Sequence, residues 1–527
     1  MGTDQGKQQY QTFVQKTAAP RARPRRPGFG ESHTMNPKGW VRDLTGYFLY
    51  VLLISTLGPL LFGFHLSELN TPQDVITCKK HSIHSTAVED KLPQCIPMNA
   101  KQWGLVGSIF TLGGLIGALS VGPLAARYGR LRSMQTTTVF FIIGPLFEAF
   151  APNIGTMAAG RFISGIGAGA SVVVVPIYIS EVAPPAEKGF FGAFTQVQTN
   201  VGILVTQMLG YFLSHGQYWR IILAAAGGIG LLQLAGLFFS VESPKWMADQ
   251  GKPSAAKKTL RRIRGHQFDI DDEVSGWGIE SSEDIEDEEE TLLNNEDRMS
   301  HHSGSSSKSK MAKQEIQGIW QVLRHPETNK AVVAVIMVML AQQLCGINSI
   351  VMYGVSLLAD LLESNSALLN LCVSAINIVV TIACAPLADK LGRKPCLIAS
   401  IAGMGTSATL LGIGIIRSVP ILCAIAVLTF VSSFALGLGP IPFILSSELV
   451  GPEAVGATQS WALAANWIAT FLVAQFFPIL HDMLKGKEFF IFTALAAVFG
   501  GFVAWFVPET KGKQTADEVW GRERRED

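Results

Sequence analysis

The chain has 527 residues, 48% hydrophobic and only 16% charged, with 52 glycines. Nearly all the charge lies outside long apolar runs, which excludes a soluble enzyme with one anchor and points to a polytopic helical membrane protein. The net charge of +1 is uninformative, but the placement of the charges is not.

Residues 1–45 form a polar arm in which Arg21, Arg23, Arg25 and Arg26 alternate with prolines. The arm has no secretory signal pattern and is predicted to be disordered and cytosolic. Apolar runs of spanning length follow at roughly 46–66, 103–125, 133–151, 156–180, 190–213 and 219–240. Loop 67–102 holds Cys78 and Cys95; on a non-cytosolic side they can form a disulfide, and two free thiols are the alternative. Arg127, Arg130 and Arg132 follow the second run and place that loop in the cytosol.

The apolar pattern breaks at 243–330. Pro244–Arg264 and Ile316–Arg324 are basic and helix-prone, and are predicted to lie under the membrane as amphipathic helices. Between them, Asp269–Lys310 is acidic and then Ser/Lys-rich, which predicts a disordered cytosolic insert. Spanning runs resume at roughly 331–358, 367–388, 395–416, 420–447, 457–481 and 488–507, with Lys390, Arg393 and Lys394 after the eighth. The expected fold is therefore all-α. About twelve transmembrane helices form two six-helix halves, 46–242 and 331–507, followed by a cytosolic tail at 508–527.

Within the seventh run, Gln342, Gln343 and Asn348 lie at bilayer depth. A carboxamide there costs several kcal/mol unless it is paired. Gly346 weakens the helix and admits a close neighbour. Two readings stand: interhelical glue, or a ligand site. No Cys/His grouping has metal-ligand spacing, and no cofactor is expected.

The halves repeat each other. Arg127–Arg130 follows the second span, and Asp389–Lys394 follows the eighth. Glu181-Val-Ala-Pro184 ends the fourth, and Glu448–Pro452 ends the tenth. Such repeats put a solute site at mid-depth, between halves that rock against each other.

These motifs, with Gly63–Gln73, Gly160-Arg161, Pro176–Pro184, Glu242–Trp246, Gln342–Asn348, Gly439–Pro442 and Pro508–Gly512, resemble the sugar-porter family of the major facilitator superfamily. The match runs from about 46 to 512, and by that resemblance the chain looks fungal and hexose-transporter-like. It implies solute contacts at Gln196, Gln342, Gln343, Asn348, Asn377 and Trp467, with Phe443 where a tryptophan is usual. Carboxamides both donate to and accept from hydroxyls without a charge to desolvate, and an indole offers a flat apolar face. For Gln198 and Asn200 helix glue is the alternative, and for Asn466 and Trp467 ordinary packing.

The resemblance also implies gating residues, Arg130, Arg161, Glu181, Arg393 and Glu448, whose ion pairs hold the cytosolic side closed. Ala126, Val455, Lys188, Met352 and Thr470 depart from the usual pattern. His65 stands where proton-coupled relatives carry an aspartate. It reads either as a proton site or as a neutral histidine bonded to a neighbouring helix. Glu68, one turn on, pairs with it or faces water. The expected function is transport of a sugar or polyol by alternating access, with no covalent chemistry. Facilitated diffusion is the default; a proton symporter and a solute sensor or trafficking protein with little flux are the alternatives. The expected protein acts as a monomer in the plasma or vacuolar membrane, with cytosolic termini and without a nucleic-acid partner.

Overall fold

The computed structural model describes residues 44–79, 92–265, 270–275, 320–362, 366–384, 387–451, 453–513 and 515–521. The chain divides into Met1–Thr45 and Gly46–Asp527. Most of the amino-terminal arm and of the acidic insert lies outside the described residues.

Among the described residues of the second division, twelve long helical units form a bundle, joined by shorter helices. They are α1 Gly46–Ser67, α2 Ala100–Tyr128, α3 Arg130–Ala149, α4 Ile154–Val182, α5 Lys188–Leu213 and α6 Trp219–Leu237. Then come α7, in two segments (Pro326–Leu344 and Ile347–Leu362), α8 Ser366–Cys384 and α9 Arg393–Ile416. Last are α10, also in two segments (Pro420–Leu436 and Ile441–Glu448), α11 Val455–Leu484 and α12 Glu488–Phe506. Ten of the twelve units are long and apolar enough to cross a membrane. The other two are more polar: α3 carries Arg130, Arg132 and Glu148, and α5 carries Gln196, Gln198, Asn200 and Gln207. Apolar side chains such as Phe212, Leu232 and Trp505 are exposed, as lipid-facing residues are.

Glycine governs the closest helix crossings. A Cβ on Gly169 would lie 1.8 Å from the Gly114 carbonyl oxygen, so α2 and α4 can pack backbone to backbone only without one. Gly346, at φ +99°, breaks α7 against the ring of Phe492. In α10 the break falls at Gly437–Pro440, where Pro440 has no N–H to continue the ladder.

The bundle has two distinguishable ends. The terminal end carries the start of α1 and the close of α12. The disulfide end carries Cys78 and Cys95, bonded with Cα atoms 5.3 Å apart. At the disulfide end Trp219 donates to the Gln94 carbonyl and Arg220 to those of Ala149, Ala151 and Pro93, fixing that loop onto α3 and α6.

At the terminal end the repeat becomes physical. Glu242 accepts from the backbone N–H groups of Arg130 (2.8 Å) and Leu131 (3.0 Å) at the start of α3. Glu509 does the same for Arg393 (2.9 Å) and Lys394 (3.1 Å) at the start of α9. Each carboxylate sits where helix N–H groups lack partners and the dipole is positive. The preceding Gly129 and Gly392, at φ +98° and +107°, leave room: a Cβ there would strike the carboxylates at 2.2 and 2.6 Å.

Burial acts to raise the Glu509 pKa, but backbone N–H donors from Lys511, Arg393, Lys394 and Thr510 outweigh it and hold the carboxyl below its ordinary value. The bonded, ionised form therefore stabilises the fold above the ordinary carboxyl range, and that contribution is lost as pH falls through the depressed value. Glu509→Gln is expected to cost about 1–3 kcal/mol at neutral pH, with a smaller cost in acid. Thermal unfolding of the purified protein across pH checks this; an equal loss at every pH would contradict it.

The stretch Pro244–Arg264 holds two helices, Pro244–Asp249 and Pro253–Arg264. The second is the longer. Its Ala256, Leu260 and Ile263 are buried, Arg264 donates to the Val182 carbonyl at 2.7 Å, and Arg262 lies 4.3 Å from the centre of the Tyr47 ring. Its apolar face thus covers protein at the terminal end. Of Ile316–Arg324, the described helix is Gln321–Arg324.

Candidate functional site

The broken segment of α7 brings four carboxamides together. Gln342 Nε2 donates to the carbonyls of Leu438 (2.6 Å) and Gly439 (3.0 Å), which are free to accept because α10 is broken there. Asn466 Nδ2 of α11 donates to Gln342 Oε1 at 2.5 Å. Asn348 Nδ2 donates to Gln343 Oε1 at 2.6 Å, and Gln343 Nε2 reaches Asn466 Oδ1 at 3.3 Å. All four are buried. The network satisfies itself without charge, and the two bonds that Gln343 donates, to Gln342 and Asn466, are long at 3.3 Å. Such amides can exchange partners with a hydroxylated solute at small net cost.

A second group joins the two halves. Asn200 of α5 donates to Thr381 Oγ1 of α8 at 2.9 Å, and Asn377 Nδ2 donates to Asn200 Oδ1 at 3.3 Å. Gln196 Nε2 contacts Asn200 Oδ1 at 3.4 Å. Gln196 and Asn377, expected on the same solute, are thus gathered by Asn200, a residue open to a reading as helix glue. Trp467 is buried, with Phe62 and Phe110 at 5.9 and 6.4 Å between ring centres, and its ring leaves no room for a Cβ on Gly114. It packs across the halves. Phe443, on the second segment of α10, is 43% exposed.

Further bonds between the halves lie toward the disulfide end. Asn70 Nδ2 donates to the Val351 carbonyl at 2.9 Å, and Asn70 Oδ1 accepts from the Val355 N–H at 2.9 Å. Ser108 Oγ donates to Gln475 Oε1 at 2.8 Å. A Cβ on Gly107 would meet the Tyr353 hydroxyl at 2.7 Å. These contacts close the disulfide end.

The expected gating pairs lie at the terminal end. Arg130 grips Glu181 through two bonds of 2.8 Å, and Arg393 bonds Glu448 at 3.0 Å. Glu448 also accepts from Thr510 Oγ1. Each pair lies within one half.

Arg161 is not with them. It lies toward the disulfide end, fully buried, and donates to the His65 carbonyl at 2.8 Å and to Glu68 Oε1 at 2.5 Å. Its guanidinium stands 4.4 Å from the centre of the Phe110 ring. His65 Nδ1 also bonds Glu68 Oε1, at 2.9 Å, so of the two readings of Glu68 the paired one describes it. Glu148 of α3 completes the group and accepts from Ser164 Oγ at 2.7 Å. Its place depends on Gly160, where a Cβ would meet Glu148 Cγ at 2.5 Å. Sequence reasoning passed over Glu148; a single carboxyl inside an apolar run was the available signal.

Comparison with known proteins agrees with this architecture. A family model described as "Sugar (and other) transporter" matches residues 51–520. A probable metabolite transport protein of Saccharomyces cerevisiae is 33% identical over 505 residues, covering 93% of this chain and 99% of that protein. Vacuolar protein sorting-associated protein 73 of the same yeast is 32% identical over 491 residues, covering 91% and 97%. The human solute carrier family 2, facilitated glucose transporter member 3, is 27% identical over 488 residues, covering 90% and 92%. Among solved structures, a partially occluded inward open conformation of the xylose transporter from E. coli superposes with a TM-score of 0.69. It is 24% identical and covers 89% of this chain and all of that one, a likeness of fold.

Proposed function

Because the chain belongs to the sugar (and other) transporter family, a multi-pass membrane transporter of the major facilitator fold, we propose that it carries a sugar or polyol by facilitated diffusion through alternating access. One observation carries this: the amide network Gln342–Gln343–Asn348–Asn466, uncharged, at mid-depth, beside the breaks of α7 and α10. Solute hydroxyls replace these mutual bonds, and Gln196 and Asn377 leave Asn200 to contact the solute from the other wall. Separation of Asn70 from Val351 and Val355 opens the disulfide end. The terminal end faces the cytosol, as the Lys/Arg distribution requires, and the membrane is the plasma or the vacuolar membrane.

His65 is neutral and structural in this reading. It stacks on Phe141, with ring centres 5.6 Å apart, and its Nε2 has no partner. The test compares counterflow with uphill accumulation under an imposed proton gradient, in wild type and His65→Asn. Counterflow in both, with accumulation in neither, is expected. Wild-type accumulation lost in the variant, with counterflow preserved, would establish a symporter instead. The relative named for vacuolar sorting lends support to the sensor or trafficking reading. That reading requires solute binding with negligible counterflow.

A further inference from the structure

The group at His65, Glu68, Glu148 and Arg161 is short of one positive charge. Among the described residues Arg161 is the only cation facing two carboxyls, and none of the four side chains is more than 1% exposed. The donor atoms of His65, Glu68 and Glu148 all lie within 4.8 Å of one another. One polar atom on every member has no partner among the described residues: His65 Nε2, Glu68 Oε2, Glu148 Oε2 and Arg161 Nε. A net buried negative charge beside two unpaired acceptor oxygens is costly. The guanidinium already occupies the cation's place against Glu68 Oε1, so a further metal ion would face it at close range.

A single proton resolves both deficits. Placed on one free carboxyl oxygen, it donates toward the other and brings the group to neutrality. On His65 it would do less: Nδ1 already bonds Glu68, and a charged ring would leave its second N–H unpaired among Phe64, Phe110 and Phe141. No further charged group adjoins the cluster among the described residues. From α7 the neutral phenol of Tyr353 approaches, bonded to the Ala474 carbonyl. From α6, Arg220 is held by the carbonyls of Ala149, Ala151 and Pro93.

The seal on this group is also the closure of the disulfide end. Ser67 and Asn70 flank Glu68 and bond the Val351 carbonyl, and Gln207 Nε2 donates to Ser67 Oγ at 2.6 Å. We propose that Glu68 and Glu148 form a proton-binding site, loaded whenever the disulfide end is closed and exchanging its proton only with water on that side. On closing, an O–H bond of hydronium in that water breaks as one forms on the carboxylate, leaving water; on opening the proton returns to the same water as hydronium. The pH on that side then sets how readily it closes, and no proton crosses the membrane.

Infrared spectroscopy of the purified protein tests the site without reference to transport. The carbonyl stretch of a protonated carboxylic acid, shifting in deuterium oxide, is expected at neutral pH. It should vanish in Glu148→Gln or Glu68→Gln, whichever folds, and persist in His65→Asn. Its absence from wild type, or its persistence in the folded glutamine variant, would overturn the proposal. Stabilisation of wild type by sodium or potassium in place of that band would do the same.

The sidedness rests on the transport reading and is tested by counterflow in oriented vesicles, with the pH of each side varied alone. Alkaline pH at the disulfide side should slow wild type and leave Glu148→Gln unaffected. An equal response to the opposite side, or proton-driven accumulation abolished by Glu148→Gln, would overturn it. If counterflow is absent altogether, the transport reading fails while the infrared result still decides the proton.

Discussion

Replacing Arg161 with methionine is expected to destabilise the protein by about 3–5 kcal/mol, as removal of one partner from a buried ionic group does. What is lost is the only cation that faces Glu68 and Glu148 among the described residues, together with the bond to the His65 carbonyl. The second carboxyl must then bind a proton or remain as an uncompensated charge, so the loss should shrink in acid. Arg161→Lys restores the charge without the forked geometry and should recover part of the stability. Thermal unfolding and the yield of folded protein measure this. A methionine variant as stable as wild type would show that the group does not depend on its arginine.

The second large effect falls on solute affinity. Gln343→Ala removes one acceptor and one donor from the amide network and leaves Asn348 and Asn466 each short of a partner. Solute binding should weaken by about 1–3 kcal/mol, since the hydroxyls that Gln343 would satisfy are left unpaired in a water-poor site. That is roughly 5- to 150-fold in affinity. Stability without solute should fall less than this, because both bonds that Gln343 donates are long, at 3.3 Å, and only the 2.6 Å bond it accepts from Asn348 is short. If stability falls and affinity stays, Gln343 is interhelical glue.

The fold was legible because apolar run length and Lys/Arg placement answer to the bilayer itself. Even α3 and α5, more polar than the rest, showed as apolar runs at roughly 133–151 and 190–213. The break of α7 was legible in Gly346, since a glycine beside three amides has few other uses. Less was legible where a residue acts through a distant partner. Glu242 and Glu509 appeared only as motif members; their work as helix caps needs the three-dimensional return of the chain onto α3 and α9. Arg161 was grouped with the gating pairs because motif position carries no depth, and the structure places it at the other end of its half. Asn200 was ambiguous for the same reason: glue and cross-half partner look alike until the opposite wall, Asn377 and Thr381, is in view.

The central claim is that the mid-depth amides bind a solute that the protein then releases on the other side. Its most direct measurement is counterflow of radiolabelled solute across a sugar and polyol panel in proteoliposomes, with wild type beside Gln343→Ala at equal pH on both sides. The account predicts saturable counterflow of at least one polyhydroxylated solute in wild type, with half-saturation raised at least about fivefold in a variant that remains folded. No counterflow for any member of the panel, or unchanged half-saturation in the variant, would contradict it.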